Sequence, residues 1–186
     1  MEFIDIVDEK GNLTGERVLR KEAHKKGLLH STIHVLVYNS RNQIFLQKRA
    51  DIKDFDAGKW DFVLGGHVSS GETPEIAVLK ELGEEYGIKT TLENLEFFKT
   101  RRFLVRYPEK NWQDNEINFI YLLKYDLDVN KLKLQKEEVS EVRWFSIEQL
   151  EKDISDPVKR LNYCKYRDYS YYFEMIDYLR EKIKSC

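Results

Sequence analysis

Three glutamates, Glu81, Glu84 and Glu85, stand three and four residues apart in the run ELGEEYG. On a helix those spacings put side chains on one face. Like charges so placed repel by about 0.2–0.5 kcal/mol per pair, and a helix shaped only for stability would interleave lysines. Carboxylate oxygens gathered in this way are hard ligands suited to Mg²⁺ or Mn²⁺; a bound ion would cancel the repulsion and attract substrate phosphates. Glu72, at the entrance of the same helix, can add a ligand or hold the entry loop. Ile76, Leu79, Leu82 and Tyr86 fall on the opposite side and are expected to pack against a sheet.

The stretch Gly66–Ile88, GHVSSGETPEIAVLKELGEEYGI, resembles the Nudix box, Gly-x5-Glu-x7-Arg-Glu-U-x-Glu-Glu-x-Gly-U with U a bulky aliphatic. Gly66, Glu72, Glu81, Leu82, Glu84, Glu85, Gly87 and Ile88 match in register, and Lys80 stands where the family has Arg. With roughly 7% usage of each residue type, the six Gly and Glu matches arise by chance about once in 10^7 windows. The resemblance implies divalent-metal-dependent hydrolysis of a nucleoside diphosphate linked to another moiety. On that resemblance water is the expected nucleophile, Glu81, Glu84 and Glu85 are expected to hold Mg²⁺ or Mn²⁺, and Glu72 to support them. Lys80 keeps the charge but lacks the planar fork that orients a carboxylate, so the glutamates are expected to be held less rigidly.

A second resemblance is to the branch of this superfamily containing isopentenyl-diphosphate isomerase. It runs from about Asp5 to Phe145 through GLLHSTIH (27–34), QKRA (47–50), GKWD (58–61), GGHV (65–68) and DNEI (114–117). In the isomerases the residues matching His24, His30, His67, Asp114 and Glu116 form a divalent metal site, which implies a second ion, with the match at His24 displaced by one residue. Imidazoles with carboxylates suit Mn²⁺ or Zn²⁺. Asp114 and Glu116, two apart, share a strand face; His34 is read as a core-strand residue. Arg49 and Lys53 fall where the isomerases hold the diphosphate, with Arg20 a looser match. Against the isomerase reaction, Gly65 occupies the position of the family's catalytic cysteine, and the isomerases lack carboxylates at the positions of Glu81 and Glu84.

These side chains need elements to position them. Thr73–Tyr86 reads as a helix, with Thr73 as cap, Pro74 at its first position and Gly87 at its C-terminal end. Strands are expected at Phe3–Val7, Thr14–Leu19, Ser31–Tyr38, Gln43–Lys48, Leu95–Arg102, Glu116–Tyr125 and Glu141–Phe145, with a hairpin at Asn39–Asn42. Helices are expected at Ser146–Asp153 and Tyr171–Lys184, the latter with apolar spacing at Phe173, Ile176, Leu179 and Ile183. Glu137, Glu138 and Glu141 form an acidic turn from which at most one general base is expected. Six aromatics in Tyr163–Phe173 are read as seating the C-terminal helix, and Trp60 and Trp144 as core.

The 186 residues suit one domain able to bury a core without staples. The expected architecture is α+β, an α/β/α sandwich with a mixed sheet between helices. One Nudix domain spans 1–186, with its core at about 30–150 and a C-terminal helical extension at 151–186. Thirty-one basic and 33 acidic side chains leave a net charge of −2, which gives no footprint for a nucleic acid polymer or an anionic membrane. No apolar run reaches the ~20 residues of a membrane span, and the acidic N-terminal stretch lacks the order of a secretory signal. Cys164 and Cys186 cannot make a disulfide framework, so a reducing cytoplasm is expected. The expected partner is a small-molecule diphosphate substrate, with a homodimer as the default oligomer. Two rival readings are an isopentenyl-diphosphate isomerase and a non-catalytic nucleotide-binding sensor.

Overall fold

Apolar and β-branched residues on both faces of HSTIHVLVY require a strand covered on each side, and His30–Tyr38 (β3) is one, buried except at Ser31. The computed structural model describes residues 2–126, 128–166 and 168–184, without the side chains of 183 and 184; Cys186 lies outside the described residues. Nine strands and four α-helices occur among the described residues, in an α+β arrangement. The chain divides into two compact units, and both β3 and the helix Pro74–Tyr86 (α2) contribute residues to each.

The first unit comprises residues up to Val35, Gly65–Gly83 and Lys89–Leu122. Phe3–Val7 (β1) pairs antiparallel with Leu13–Leu19 (β2), and Ile6 lies opposite His30 at the start of β3. The turn between β1 and β2 is held by Asp8, whose Oδ1 accepts from the amides of Lys10 and Asn12. Leu64–His67 (β6) and Trp112–Lys124 (β8) also pair with β3, and Leu95–Tyr107 (β7) pairs with β8. Ile4, Ile6, Val18 and Ala23 make one apolar cluster; Val7, Leu29 and Ile117 make another.

The second unit holds Leu36–Leu64, Glu84–Ile88 and the chain from Leu123. Gln43–Arg49 (β4) meets the end of β3 at Ile44 opposite Tyr38, and it pairs antiparallel with Trp60–Asp61 (β5) and Val139–Ser146 (β9). The expected hairpin is present: Asn39 Oδ1 accepts from the amides of Arg41 and Gln43. Ser146 caps Ile147–Ser155 (α3) by accepting from the Gln149 amide, and Arg180 of Ser170–Lys184 (α4) forks onto Glu151 of α3.

Several local expectations are corrected. Arg20–Lys26 (α1) is a helix that its polar run RKEAHKK does not announce, because its stability comes from burying Ala23 and His24 rather than from an apolar stripe. Ile76 is 53% exposed; α2 packs through Ala77, Val78, Leu82 and Tyr86 instead. Trp60 and Trp144 are half-buried, their rings edge-on to Phe145 and Phe45 rather than enclosed. Along α4 the buried stripe is Tyr172, Met175, Ile176 and Leu179, with Phe173 only half-buried; the side chain of Ile183 lies outside the described residues.

Candidate metal centre and active site

The strand pleat and the short helix α1 converge three imidazoles and a carboxylate. One ligand atom from each of His24, His30, His67 and Glu116 lies within 4.8 Å of every other. His24 Nδ1 lies 3.0 Å from the Gln113 carbonyl and 3.1 Å from Asp114 Oδ1; His30 Nδ1 lies 2.9 Å from the Leu28 carbonyl. These oxygens only accept, so Nδ1 carries the proton on both rings and each Nε2 presents a lone pair. His24 Nε2 is 2.9 Å from His67 Nε2, and His30 Nε2 is buried, makes no hydrogen bond and lies 3.9 Å from Glu116 Oε1. Nδ1 protons tied to carbonyl and carboxylate oxygens, with the Nε2 atoms left as acceptors, make a donor set that could hold a metal ion.

The electrostatics agree. Burial lowers the His30 imidazole to about 4, with the His24 charge adding to the effect. Burial pushes the Glu116 carboxyl well above the ordinary carboxylate range; Asp114 adds to this, against hydrogen bonds from Asn118 and Thr32. Burial thus favours the neutral forms of both groups; a divalent ion would take the imidazole in that neutral form and would draw the proton from the acid. Asp114, expected as a ligand, stands behind His24 and also accepts from Trp112 Nε1 at 2.8 Å. The Trp112 ring stacks on His24 at 4.2 Å. Arg20 pairs with Glu2 at 3.0 Å, and its charge reaches both His30 and Glu116.

The box helix meets β6 where Glu81 lies against Gly66, one residue from His67. Lys80 donates to Glu72 Oε1 at 3.1 Å and to Ser69 Oγ at 3.3 Å, so it ties the helix to its entry loop as a point charge. Gly66, next to His67 on β6, lies against the Glu81 carboxylate: a Cβ there would fall 2.5 Å from Glu81 Cδ. Gly65 is tighter still, since its Cβ would meet the Ile33 carbonyl oxygen at 2.2 Å. His34 is buried as expected of a core-strand residue.

In the second unit Glu85 is half-buried and Glu84 exposed. Burial raises the Glu85 carboxyl to about 7, with Glu138 pushing the same way and Lys53 and Arg49 opposing. Glu138 is paired with Lys53, and its loop is anchored by the Gln135 amide on the Glu85 carbonyl and the Ala50 amide on the Glu138 carbonyl, each at 2.9 Å. Of the three late-loop glutamates, Glu138 alone is placed on Glu85; Glu141 pairs with Arg143 and Glu137 is exposed. Arg49 Nε donates to the Phe55 carbonyl at 3.1 Å, and Asp61 faces its guanidinium. Asp61 also accepts from Tyr166 at 2.6 Å. The aromatic segment thus seats α4, with Tyr171 and Tyr172 buried against Phe62. Thr32, Trp112 and Asn118, which support the cluster, were not singled out from the sequence. The two-residue spacing of Asp114, Glu116 and Asn118 was the signal available for one of them.

The NUDIX domain model matches residues 28–164. This chain belongs to the Nudix family. An uncharacterised Nudix hydrolase of Listeria monocytogenes is 33% identical over 81% of this chain and 83% of its own. An isopentenyl-diphosphate Delta-isomerase of Aliivibrio fischeri is 32% identical over 82% of this chain and 84% of its own. Nudix hydrolase 3 of Arabidopsis thaliana is 31% identical over 97% of this chain, which spans only 24% of that protein. Among solved structures, a Deinococcus radiodurans protein superposes with a TM-score of 0.65 at 20% identity, covering 97% of this chain and 98% of its own. The NUDIX domain of Shewanella oneidensis NrtR, solved with ADP ribose, gives a TM-score of 0.55 at 18% identity, over 82% and 87%. At these identities the structures establish the Nudix fold. Family membership and the hydrolase relatives support an enzyme of the pyrophosphohydrolase class.

Proposed function

We propose that this Nudix protein hydrolyses the pyrophosphate bond of a small phosphorylated metabolite, a nucleoside diphosphate derivative, as one functional domain over residues 1–186. The observation that carries the reading is the Glu81 carboxylate seated against Gly66, one residue from His67, on a helix that keeps Glu84 and Glu85 in register. Glu81, Glu84 and Glu85 would hold Mg²⁺ or Mn²⁺, and His24, His30, His67 and Glu116 would hold a second divalent ion, with Asp114 orienting His24. Such ions neutralise phosphate charge and lower the pKa of water. Glu72 and Lys80 fix the helix entrance. Glu138, steadied by Lys53, takes the proton from the attacking water. Lys53 and Arg49 add positive charge beside Glu85, while Arg20 does so beside the histidine cluster. The two-cysteine composition supports a reducing cytoplasm and the near-neutral charge argues against a membrane or nucleic acid polymer as partner, with a homodimer as the default assembly.

The histidine cluster also favours the isomerase as a second reading, but two features oppose it. The backbone at Gly65 leaves no room for the cysteine side chain that reaction uses. Cys164 is buried, and burial pushes its thiol well up, away from reactive thiolate. Incubation with Mg²⁺ and a panel of nucleoside diphosphates, dinucleotides and sugar nucleotides tests the proposal. Phosphate released after phosphatase treatment, and lost in Glu84→Gln, is expected. Deuterium uptake from heavy water into isopentenyl diphosphate without hydrolysis would instead establish the isomerase, and nucleotide binding without turnover the sensor.

A further inference from the structure

Strand β1 reaches the entry loop of the box helix through a side chain that the histidine cluster and the late-loop glutamates do not use. The pleat turns Ile4 and Ile6 into the apolar cluster with Val18 and Ala23, and sets Phe3 and Asp5 on the opposite face. A carboxylate on that face would ordinarily be solvated. Asp5 is instead half-buried, and both of its oxygens accept from residues 65 and 66 positions further along the chain. Oδ1 accepts from the Ser70 hydroxyl at 2.6 Å, and Oδ2 accepts from the Gly71 amide at 2.9 Å. The backbone of β1 adds two more ties. The Phe3 carbonyl accepts from the Ser70 amide at 2.8 Å, and Ile4 bridges antiparallel to Ser69. Arg17, opposite Asp5 on β2, sets its guanidinium 4.5 Å from the centre of the Phe3 ring.

The loop fastened in this way carries the contacts that set the box helix. Ser69 Oγ and Glu72 Oε1 both accept from Lys80, and the Ser69 carbonyl accepts from the Glu72 amide at 2.9 Å. Lys80 directly precedes Glu81, whose carboxylate lies against Gly66. All of these residues belong to the first unit. Glu72 Oε2 is buried and makes no hydrogen bond. A buried carboxylate oxygen without a donor is costly, and a loop free to move would turn it to water. Lys80 cannot hold the loop alone, because an ammonium is a point charge that fixes distance without fixing orientation. The fastening comes from the other side of the loop, and Asp5 is its side-chain component.

We propose that Asp5 is a positioning residue for the box helix; this rests on the hydrolase reading above. By clasping Ser70 and Gly71 it fixes the loop that Lys80 ties to Glu72, and so supplies the rigidity that a lysine in place of the family's arginine does not.

The probe is Mn²⁺ alone, titrated into the full chain and followed by electron paramagnetic resonance. A His30→Gln background leaves the box carboxylates as the ion's site. Without that change, kcat and KM are measured on any panel substrate the parent hydrolyses. Both use a temperature at which circular dichroism shows the variants folded. Asp5→Ala is expected to weaken Mn²⁺ binding about tenfold, and to lower kcat about ten- to a hundredfold with KM within about threefold. Asp5→Asn should stay within about threefold of the parent, since its amide oxygen can accept from Gly71 while its NH₂ donates to the Ser70 hydroxyl. Ser70→Ala loses one of the two bonds and should fall between, and it carries the test if Asp5→Ala does not fold. Parent Mn²⁺ affinity and kcat in Ser70→Ala, and in Asp5→Ala where it folds, overturn the inference whatever happens to Tm, because a tie that served stability alone would move Tm only. A loss in Asp5→Asn equal to that in Asp5→Ala overturns it too. A chain that hydrolyses nothing in the panel but still loses Mn²⁺ affinity on Asp5→Ala overturns the hydrolase reading while the clasp stands.

Discussion

His24 Nε2 and His67 Nε2 face each other across 2.9 Å, although His24 already commits its other nitrogen to oxygens that only accept. Either His67 donates its own Nε2 proton across the gap, or both lone pairs belong to a cation. With the buried, unbonded His30 Nε2 and Glu116 beside them, the second arrangement satisfies every group at once.

Metal should therefore stabilise the protein strongly. A divalent ion at a hundredfold over its Kd adds about 2.7 kcal/mol to unfolding. Mn²⁺ or Zn²⁺ should raise Tm in a scanning calorimeter, EDTA should reverse the rise, and His30→Gln should remove most of it. In the metal-free state His30→Gln should itself lower Tm, since it also removes the buried Nδ1 donor to the Leu28 carbonyl, so the readout is the rise on adding metal rather than Tm alone. An equal rise in the variant would place the ion elsewhere.

Substitutions at the two β6 glycines should separate cleanly. Gly66→Ala brings a methyl within 2.5 Å of the mobile end of Glu81, which can swing aside. Tm should barely move, while the Mg²⁺ concentration for half-maximal hydrolysis rises about tenfold or more, as an interaction worth about 1.4 kcal/mol is lost. Gly65→Cys instead drives a Cβ into the Ile33 backbone oxygen and should cost about 2 kcal/mol or more. Restoring the isomerase cysteine should thus yield an unstable protein with no deuterium exchange into isopentenyl diphosphate. A stable Gly65→Cys chain with exchange activity would revive the isomerase.

Acid should destabilise the fold through His34. Burial lowers its imidazole to about 3 from an ordinary 6.5, with the Arg101 charge adding to the effect. As pH falls through 6.5 the unfolded chain takes up a proton that the native state refuses until about 3. Stability present above 6.5 is thus lost across that window, at up to about 1.4 kcal/mol per pH unit for one proton. Urea midpoints between pH 7 and 4 should fall less steeply in His34→Asn, and parallel slopes would remove His34 from the account.

Tyr166→Phe should cost about 1–3 kcal/mol, because it withdraws one donor from the buried Asp61 carboxylate. That loss, read by urea unfolding, would measure how firmly the aromatic segment fastens α4. A neutral result would mean that Arg49 and the Val63 amide suffice for Asp61.

The box helix was legible in the sequence because everything that defines it is local. Thr73 and Pro74 start it, Gly87 at φ 68° ends it, and the i, i+3, i+4 spacing sets the face of Glu81, Glu84 and Glu85 without reference to the rest of the chain. The strands with long apolar runs were legible for the same reason. Tertiary contact decided the rest. His24 sits on a short helix with no periodicity of its own, and only burial brings its ring to Gln113, 89 residues away. Asp114 and Glu116 share a strand face by sequence, but packing places one behind His24 and the other beside His30. At Gly65 the sequence offers a missing thiol, while the carbonyl of Ile33 on the neighbouring strand turns that absence into a steric requirement. Spacing along one element is set by backbone geometry, whereas convergence of distant residues depends on which surfaces bury together, and no short stretch of sequence specifies that.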